Sequence, residues 1–176
     1  MNKEPTRPRT AALDILRAIR GGELADRAFV RHAEALEPRD RAWLHELVYG
    51  TLRLRGRLDY VLGQFVKRGT ASLDDDVLDI LRLAAYQLLE MDSVPAYAAV
   101  SQAVDMTKAI KQKSASGLVN GVLQSLRRGQ SELQPPRGDA AEVLSTWGSH
   151  PRWLLERWLA RFGQDDTEKL DRKSVV

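Results

Sequence analysis

The stretch HELVYGTLRLRGRLD, residues 45–59, combines basic side chains with the apolar spacing of a helix. Arg53, Arg55 and Arg57 are side chains that could bind an anion such as a phosphate group. A period of 3.6 residues spreads them around a helix, so they cannot all point in one direction. We expect Arg55 and Arg57 to be solvated. The stretch is predicted to be a packing element, and the question is whether it also binds an anion.

A second group of basic side chains, which we call the lysine turn, comprises Lys108, Lys111 and Lys113. It lies in the stretch 107–128, which contains no acidic residue, and precedes a helix predicted to start near Ser114. The N-terminal dipole of that helix would favour a bound phosphate. The alternative is that these lysines only complement the C-terminal dipole of the helix that they end.

Residue types used in catalysis and metal binding form no recognisable pattern. His45 and Glu46 begin like a zinc-protease motif, but the position four residues after His45 is Tyr49. The three histidines are scattered and are predicted to be structural. There is no cysteine to form a disulfide or act as a nucleophile. The acidic run at residues 74–76 is explained as favourable charge at a helix N-terminus. We therefore predict no catalytic residue and no metal site.

Length and composition are those of one soluble domain. The chain has 176 residues, of which 43% are hydrophobic and 29% charged. No run approaches the roughly 18 apolar residues of a membrane span, and the N-terminus MNKEPTRPRT has no apolar signal-peptide core. These features predict a cytoplasmic protein that does not enter a membrane.

Apolar spacing and capping residues predict an all-α fold with about seven helices, followed by a tryptophan-rich C-terminal helix. Residues 1–130 are predicted to be the helical domain. Residues 131–146 contain Pro-Pro and Arg-Gly-Asp and are predicted to be a linker. Residues 147–165 carry three tryptophans and are predicted to form the C-terminal helix, with residues 166–176 as a frayed tail.

Glycines inside the helical patterns predict where helices approach each other. Gly50 would cost about 1 kcal/mol relative to Ala unless a neighbouring helix comes close or the helix breaks nearby. Tyr49 beside it is predicted to serve packing. Gly117 and Gly121 are likewise predicted to lie at a close helix contact, and Asn120 is predicted to be a buried hydrogen-bonding residue.

The order of four longer motifs resembles the N-terminal part of the bacterial Sun-type ribosomal RNA cytosine-5 methyltransferases, over about residues 7–165. These motifs are DRAWLHELVYGTLRLRGRLD, LDILRLAAYQLLEMDSVPAYAAVSQAVDMTK, GLVNGVLQSLRR and SHPRWLLERWLARFG. That part of the family is NusB-like, similar to the transcription antitermination factor of that name. The tryptophan-rich segment favours the methyltransferase branch, because free-standing NusB proteins generally end near the preceding helix.

The resemblance implies a NusB-like fold of two small helix bundles. In that family a downstream domain binds S-adenosylmethionine, and a cysteine there attacks the target cytosine. Neither is found in this sequence, so we expect an isolated domain with no cofactor of its own and no methyltransferase activity. The implied partners are ribosomal RNA and a methyltransferase domain, and the oligomeric state is left open.

The resemblance also implies an RNA surface around the first helix and its N-terminal arm. The predicted RNA-binding residues are Arg7, Arg9, Arg17, Arg20, the lysine turn (Lys108, Lys111 and Lys113) and Arg53. For Arg53, contact with RNA or another domain and a structural ion pair are equally open. The first helix and the lysine turn are expected at the same end of the molecule.

Three functions follow from these expectations. The leading one is an RNA-binding accessory domain that positions ribosomal RNA for a methyltransferase domain. The second is an antitermination-type module that binds RNA together with a ribosomal protein. The third is a docking domain whose tryptophan-rich helix holds the catalytic part without direct RNA contact.

Overall fold

The computed structural model describes residues 4–174, with side chains described to residue 170. This part of the chain contains nine α-helices, three short 3-10 turns and no strand. The helices are α1 (Arg7–Arg20), α2 (Ala25–Ala33), α3 (Pro38–Arg53), α4 (Arg55–Gly63), α5 (Asp75–Glu90), α6 (Ala96–Ala109), α7 (Ser116–Gly129), α8 (Ala140–Trp147) and α9 (Arg152–Ser174). The all-α fold is confirmed, with seven helices before residue 130.

Helix α5 lies at the centre because its apolar residues surround most of its circumference. It is buried almost continuously from Val77 to Gln87. It packs against α1, α3, α4, α6 and α7, and one hydrophobic core connects these helices. None of the described helices is long and apolar enough to cross a membrane.

The helix that contains Gly50 ends soon after it, and Gly50 also packs closely against a neighbouring helix. Helix α3 ends at Arg53 and α4 begins at Arg55, with Leu54 between them outside helical geometry. A Cβ atom at Gly50 would lie 2.6 Å from the ring carbon Cε2 of Tyr86 in α5, and nearer still to Cζ and Oη. The close approach predicted at Gly50 is therefore confirmed, and its neighbour is the Tyr86 ring.

Tyr49 has the packing role that was predicted for it. Its ring forms a cluster with those of Phe29 and His45, whose centroids are 5.7 Å and 4.4 Å away. Its hydroxyl donates a hydrogen bond to Asp26 Oδ1 at 2.6 Å. Burial, reinforced by this hydrogen bond, raises the pKa of Tyr49 to about 12. Tyr49 thus joins α3 to α2.

The predicted close contact at Gly117 and Gly121 is wrong. Both are exposed, and a Cβ atom at either would meet no atom within 4 Å. Asn120, between them on α7, is also exposed, so the prediction of a buried residue is wrong as well. The apolar stripe of α7 runs instead through Val119, Val122 and the leucines beyond, which turns the two glycines and Asn120 outward.

Residues 131–146, predicted to be a linker, contain helix α8. It is capped by Asp139, whose side chain accepts a hydrogen bond from the Glu142 backbone N–H at 2.8 Å. Ala141 and Leu144 are buried. From residue 140 onward the segment is thus a packed helix rather than a free connection, and this helix lies against α4.

Arg57 fastens α8 to α4, which corrects the expectation that Arg57 is solvated. Its guanidinium carbon lies 4.4 Å from the centre of the Trp147 ring at the end of α8. Its backbone N–H donates to Ser149 Oγ at 2.9 Å, and its guanidinium forms an ion pair with Glu90 at 3.4 Å. Gly56 leaves room for this approach, since a Cβ there would already be 3.3 Å from Ser149 Oγ.

The tryptophan-rich segment and the tail also differ from the prediction. Trp147 belongs to α8, whereas Trp153 and Trp158 belong to α9. Helix α9 continues through most of the predicted frayed tail to Ser174, with a kink at Gly163 where φ is +74°. The Thr167 hydroxyl donates to the Gly163 carbonyl at 2.7 Å just after the kink. The last two residues of the predicted tail lie outside the described residues.

Candidate nucleic-acid interface

Of the two arginines at the start of α1, Arg7 is exposed and Arg9 is held in place by contacts with other helices. Arg7 is exposed at the first position of α1. Arg9 is half-buried, with its guanidinium carbon 4.7 Å from the centre of the Trp43 ring, and its Nε–H donates to Gln87 Oε1 at 2.9 Å. Burial lowers the pKa of Arg9 from its ordinary value. Arg9 therefore joins α1 to α3 and α5, while Arg7 is free to contact a partner.

A cleft of about 370 Å³ opens beside Arg9 between the beginnings of α1, α3 and α6. Arg39 and Asp40 line it from the first turn of α3, together with Trp43. Sequence reasoning missed Arg39 and Trp43 because they lie some thirty residues from the N-terminal arm. The only local signal was an exposed Arg-Asp-Arg sequence in the first turn of a helix.

Arg17 and Arg20 are held by the acidic start of α5. Arg17 binds both carboxylate oxygens of Asp76, with Nε–Oδ1 at 3.0 Å and Nη2–Oδ2 at 2.7 Å. Arg20 pairs with Asp76 at 2.6 Å and also with Asp79. The run at 74–76 is thus more than favourable N-terminal charge, although Asp74 does cap α5 by accepting from the Asp76 N–H at 3.0 Å. RNA contact by Arg17 and Arg20 stays a prediction, with their guanidiniums already engaged.

These pairs continue inward as one network. Buried Arg82 of α5 donates to Asp79 at 2.8 Å and to the two oxygens of Asp59 in α4 at 2.7 and 2.8 Å. The alternating charges therefore connect α1, α5 and α4. Cations and carboxylates compensate each other along its length, which is the arrangement that buried charges require.

Asp76 should make this network sensitive to acid. The hydrogen bond from Arg17 lowers the pKa of Asp76 in the folded chain. A lowered folded-state pKa contributes stability above the unfolded value of about 3.9, and that contribution disappears as the pH falls further. Urea denaturation between pH 7 and pH 3 should show stability falling below about pH 4, with a weaker fall in Asp76→Asn. An equal fall in both proteins would contradict the assignment to Asp76.

The lysine turn is more open than the N-terminal arginines. Lys108 lies 3.7 Å from Asp105 on its own helix, a long ion pair at a partly exposed position. Lys111 and Lys113 are exposed, and neither has an acidic partner among the described residues. Lys111 has φ of +64°, which turns the chain from α6 towards α7. No side chain caps the N-terminus of α7, which continues directly from a 3-10 turn at Lys113–Ala115 whose Lys113 carbonyl accepts the Ser116 N–H. The positive end of the α7 dipole therefore lies next to the lysine turn.

The end of α6, where the lysine turn begins, lies beside the middle of α1. Thr10 and Arg17 of α1 share a groove with Ala109 and Ile110, at the end of α6. The N-terminal arm lies beside an earlier part of α6, where the Thr6 backbone N–H donates to Gln102 at 2.8 Å. Helix α1 and the end of α6 are therefore neighbours, while the N-terminal arm lies beside an earlier part of α6, and a shared RNA surface stays a prediction.

Arg53 ends α3 as an exposed side chain and forms no ion pair within residues 4–170. A structural ion pair, one of the two roles left open for Arg53, is therefore not seen in this region. The same residues contain no cluster of three histidine, aspartate or glutamate side chains that could hold a metal ion. The candidate functional groups on the described surface are therefore the basic side chains.

Comparison with known proteins identifies the family of the helical domain. The NusB family model matches residues 6–128. The crystal structure of PH0851 superposes with a TM-score of 0.67 at 23% identity, covering 97% of this chain and 39% of that one. At this identity the superposition supports the fold alone.

Curated relatives are similar over a longer stretch. The probable ribosomal RNA small subunit methyltransferase B of Bacillus subtilis is 35% identical over 141 residues, which is 80% of this chain and 31% of that protein. The corresponding probable methyltransferase of Synechocystis is 36% identical over 145 residues, 82% of this chain and 32% of that protein. This chain therefore spans about a third of the length of these relatives. Because the family model covers most of its 176 residues, the chain belongs to the NusB family.

Proposed function

We propose that this NusB domain binds RNA and positions ribosomal RNA for a methyltransferase domain. The observation that carries the proposal is the lysine turn, where Lys111 and Lys113 are exposed beside the uncapped N-terminus of α7. Exposed cations next to the positive end of a helix dipole are suited to phosphate oxygens. The relatives that are named ribosomal RNA methyltransferases support ribosomal RNA as the ligand.

The proposed contact is mainly with the RNA backbone. Arg7, Arg39 and Arg53 add exposed positive charge to that of the lysine turn. Charged contacts of this kind bind phosphates regardless of base and give weak sequence preference. Catalysis, with its S-adenosylmethionine and cysteine, would belong to the methyltransferase domain, while this chain supplies binding.

A second candidate function is docking of that methyltransferase domain on α9. Trp153 and Phe162 of α9 are large apolar side chains with 65% and 45% of their surface exposed. Exposed aromatic residues on one helix are common at protein interfaces. Docking alone would leave RNA unbound, so the following titration separates the two functions.

Neutralising the lysine turn should weaken RNA binding and its dependence on salt. We expect Lys111→Gln with Lys113→Gln to reduce affinity for a fluorescein-labelled 20-nucleotide RNA, whatever its sequence. The slope of log K against log salt should become shallower by about 0.7 for each phosphate of single-stranded RNA that the variant no longer binds. Fluorescence anisotropy at several salt concentrations measures both effects.

The matched control removes two exposed arginines from the other end of α7. Arg127→Gln with Arg128→Gln changes the net charge equally, at positions exposed like the lysines. We expect this variant to retain most of the affinity of the unmodified chain. If both double variants weaken binding equally, attraction is nonspecific and the lysine turn is not the site.

A further inference from the structure

A small polar cavity lies where α1 and α5 meet the junction of α3 and α4. Its volume is about 30 Å³. The polar side chains that line it are Arg20, Thr51, Arg55, Asp79 and Arg82. A cavity needs about 10–15 Å³ of such volume to hold one water-sized atom, so this one has room for about two.

Thr51 lines this cavity and carries an unpartnered hydroxyl. The residue is 1% exposed, and its hydroxyl has no hydrogen-bond partner in the described part of the chain. A threonine in a helix can bond to the carbonyl four residues before it, but this hydroxyl does not. Buried hydroxyl groups are rarely left without a partner, so the Thr51 hydroxyl indicates a ligand atom in the cavity.

One of the positive charges among the residues that line the cavity has no counter-ion in the described part of the chain. Three guanidinium groups face one carboxylate among its lining residues. Arg82 is compensated by Asp59 and Asp79, and Arg20 by Asp76 and Asp79. Arg55 is exposed and has no ion pair within residues 4–170, so its charge at the cavity is uncompensated.

We propose that this cavity binds one phosphate group, with a single phosphate oxygen inserted between the Thr51 hydroxyl and the Arg55 guanidinium. The cavity is too small for a whole phosphate, so the remaining oxygens would lie outside it, near the exposed side chains of Arg20 and Arg55. The hydroxyl donates to the oxygen, and the guanidinium adds a charge-assisted hydrogen bond.

Phosphate at this position could come from RNA or from inorganic phosphate. The RNA source rests on the proposed function. Helix α1 separates the cavity, lined by Arg20, from the groove that Arg17 shares with the end of α6 near the lysine turn. An RNA backbone crossing the second half of α1 could therefore reach both.

Inorganic phosphate tests the site without RNA. Thermal unfolding of the intact chain would be followed in phosphate and in chloride at matched ionic strength, because a ligand of the folded state raises the midpoint. We expect phosphate to raise it more than chloride. Thr51→Val and Arg55→Gln should each weaken phosphate affinity by about tenfold or more, the usual effect of losing a hydrogen bond to a charged group. Thr51→Ser, which keeps the hydroxyl, should bind phosphate with the affinity of the unmodified chain.

Folding is not expected to obscure the result. Valine removes the unpartnered Thr51 hydroxyl and leaves no other polar group without a partner. Arg55 is exposed, so both variants should fold. Equal midpoints of thermal unfolding in phosphate and chloride for the unmodified chain would overturn the proposal. The cavity would then be a site for water only.

The RNA titration identifies the source of the phosphate. A salt slope shallower by about 0.7 in Arg55→Gln, together with a lower RNA affinity in Thr51→Val, supports an RNA phosphate at the cavity. An unchanged RNA affinity together with a lost phosphate response supports a site for inorganic phosphate. If the chain binds no RNA and the phosphate response persists, the proposed function fails while the site stands.

Discussion

Gly50→Ala is expected to destabilise the fold by about 3 kcal/mol, the upper part of the usual range for an overfilled core. The added methyl group would lie well within 3.0 Å of the Tyr86 ring, closer than real Cβ atoms come to any neighbour. Tyr86 is 1% exposed, and its hydroxyl donates to Glu46. The ring therefore cannot move aside without disturbing the core and breaking that hydrogen bond. Urea denaturation of the variant measures the loss.

Gly121→Ala is the matched control, because Gly121 is also inside a helix. A methyl group there meets no atom within 4 Å. Alanine should stabilise α7 by about 0.5–1 kcal/mol through its better helix propensity. The double variant Gly50→Ala with Tyr86→Leu should lose less stability than the sum of the two single losses, because leucine removes the ring tip that clashes with the new methyl group. A loss below about 1 kcal/mol for Gly50→Ala would show that the two helices can separate freely.

Asp79→Ala is expected to cost about 3 kcal/mol, because it leaves the buried guanidinium of Arg82 with less compensating charge. Removing one partner of a buried ion pair typically costs about 3–5 kcal/mol. The lower end applies here, since Arg82 keeps Asp59 and Arg20 keeps Asp76. The Asp79 side chain is only 7% exposed, so bulk water does little to screen the loss of its carboxylate. Denaturation in urea near pH 7 measures this effect.

Asp75→Ala serves as the control from the same helix start. Asp75 also pairs with Arg20, but at 3.7 Å and with 74% of its side chain exposed. Its loss should change stability by less than about 0.5 kcal/mol, as for most exposed ion pairs. Similar losses for Asp75→Ala and Asp79→Ala would mean that the network contributes through general charge balance instead of through its buried pair.

The all-α fold and its helices could be predicted from the sequence because apolar spacing and capping are local properties. Gly50 could also be identified as a close approach, since a glycine within an apolar helical pattern needs a reason. Helix α8 was missed although its Asp139–Glu142 cap is visible in the sequence. Its eight residues are too few for a clear period, and the Pro-Pro and Gly before it favoured a linker.

Which charged side chains are free was decided only by the tertiary structure. Arg17 pairs with a carboxylate 59 residues away, and the Arg57 backbone N–H bonds to a serine hydroxyl 92 residues away. Periodicity shows the face of a helix on which an arginine lies, but its partner depends on which helices later pack against that face. The lysine turn could be identified from the sequence because it lies in the stretch 107–128, which contains no acidic residue. The Thr51 cavity could not, since it exists only where three separate parts of the chain meet.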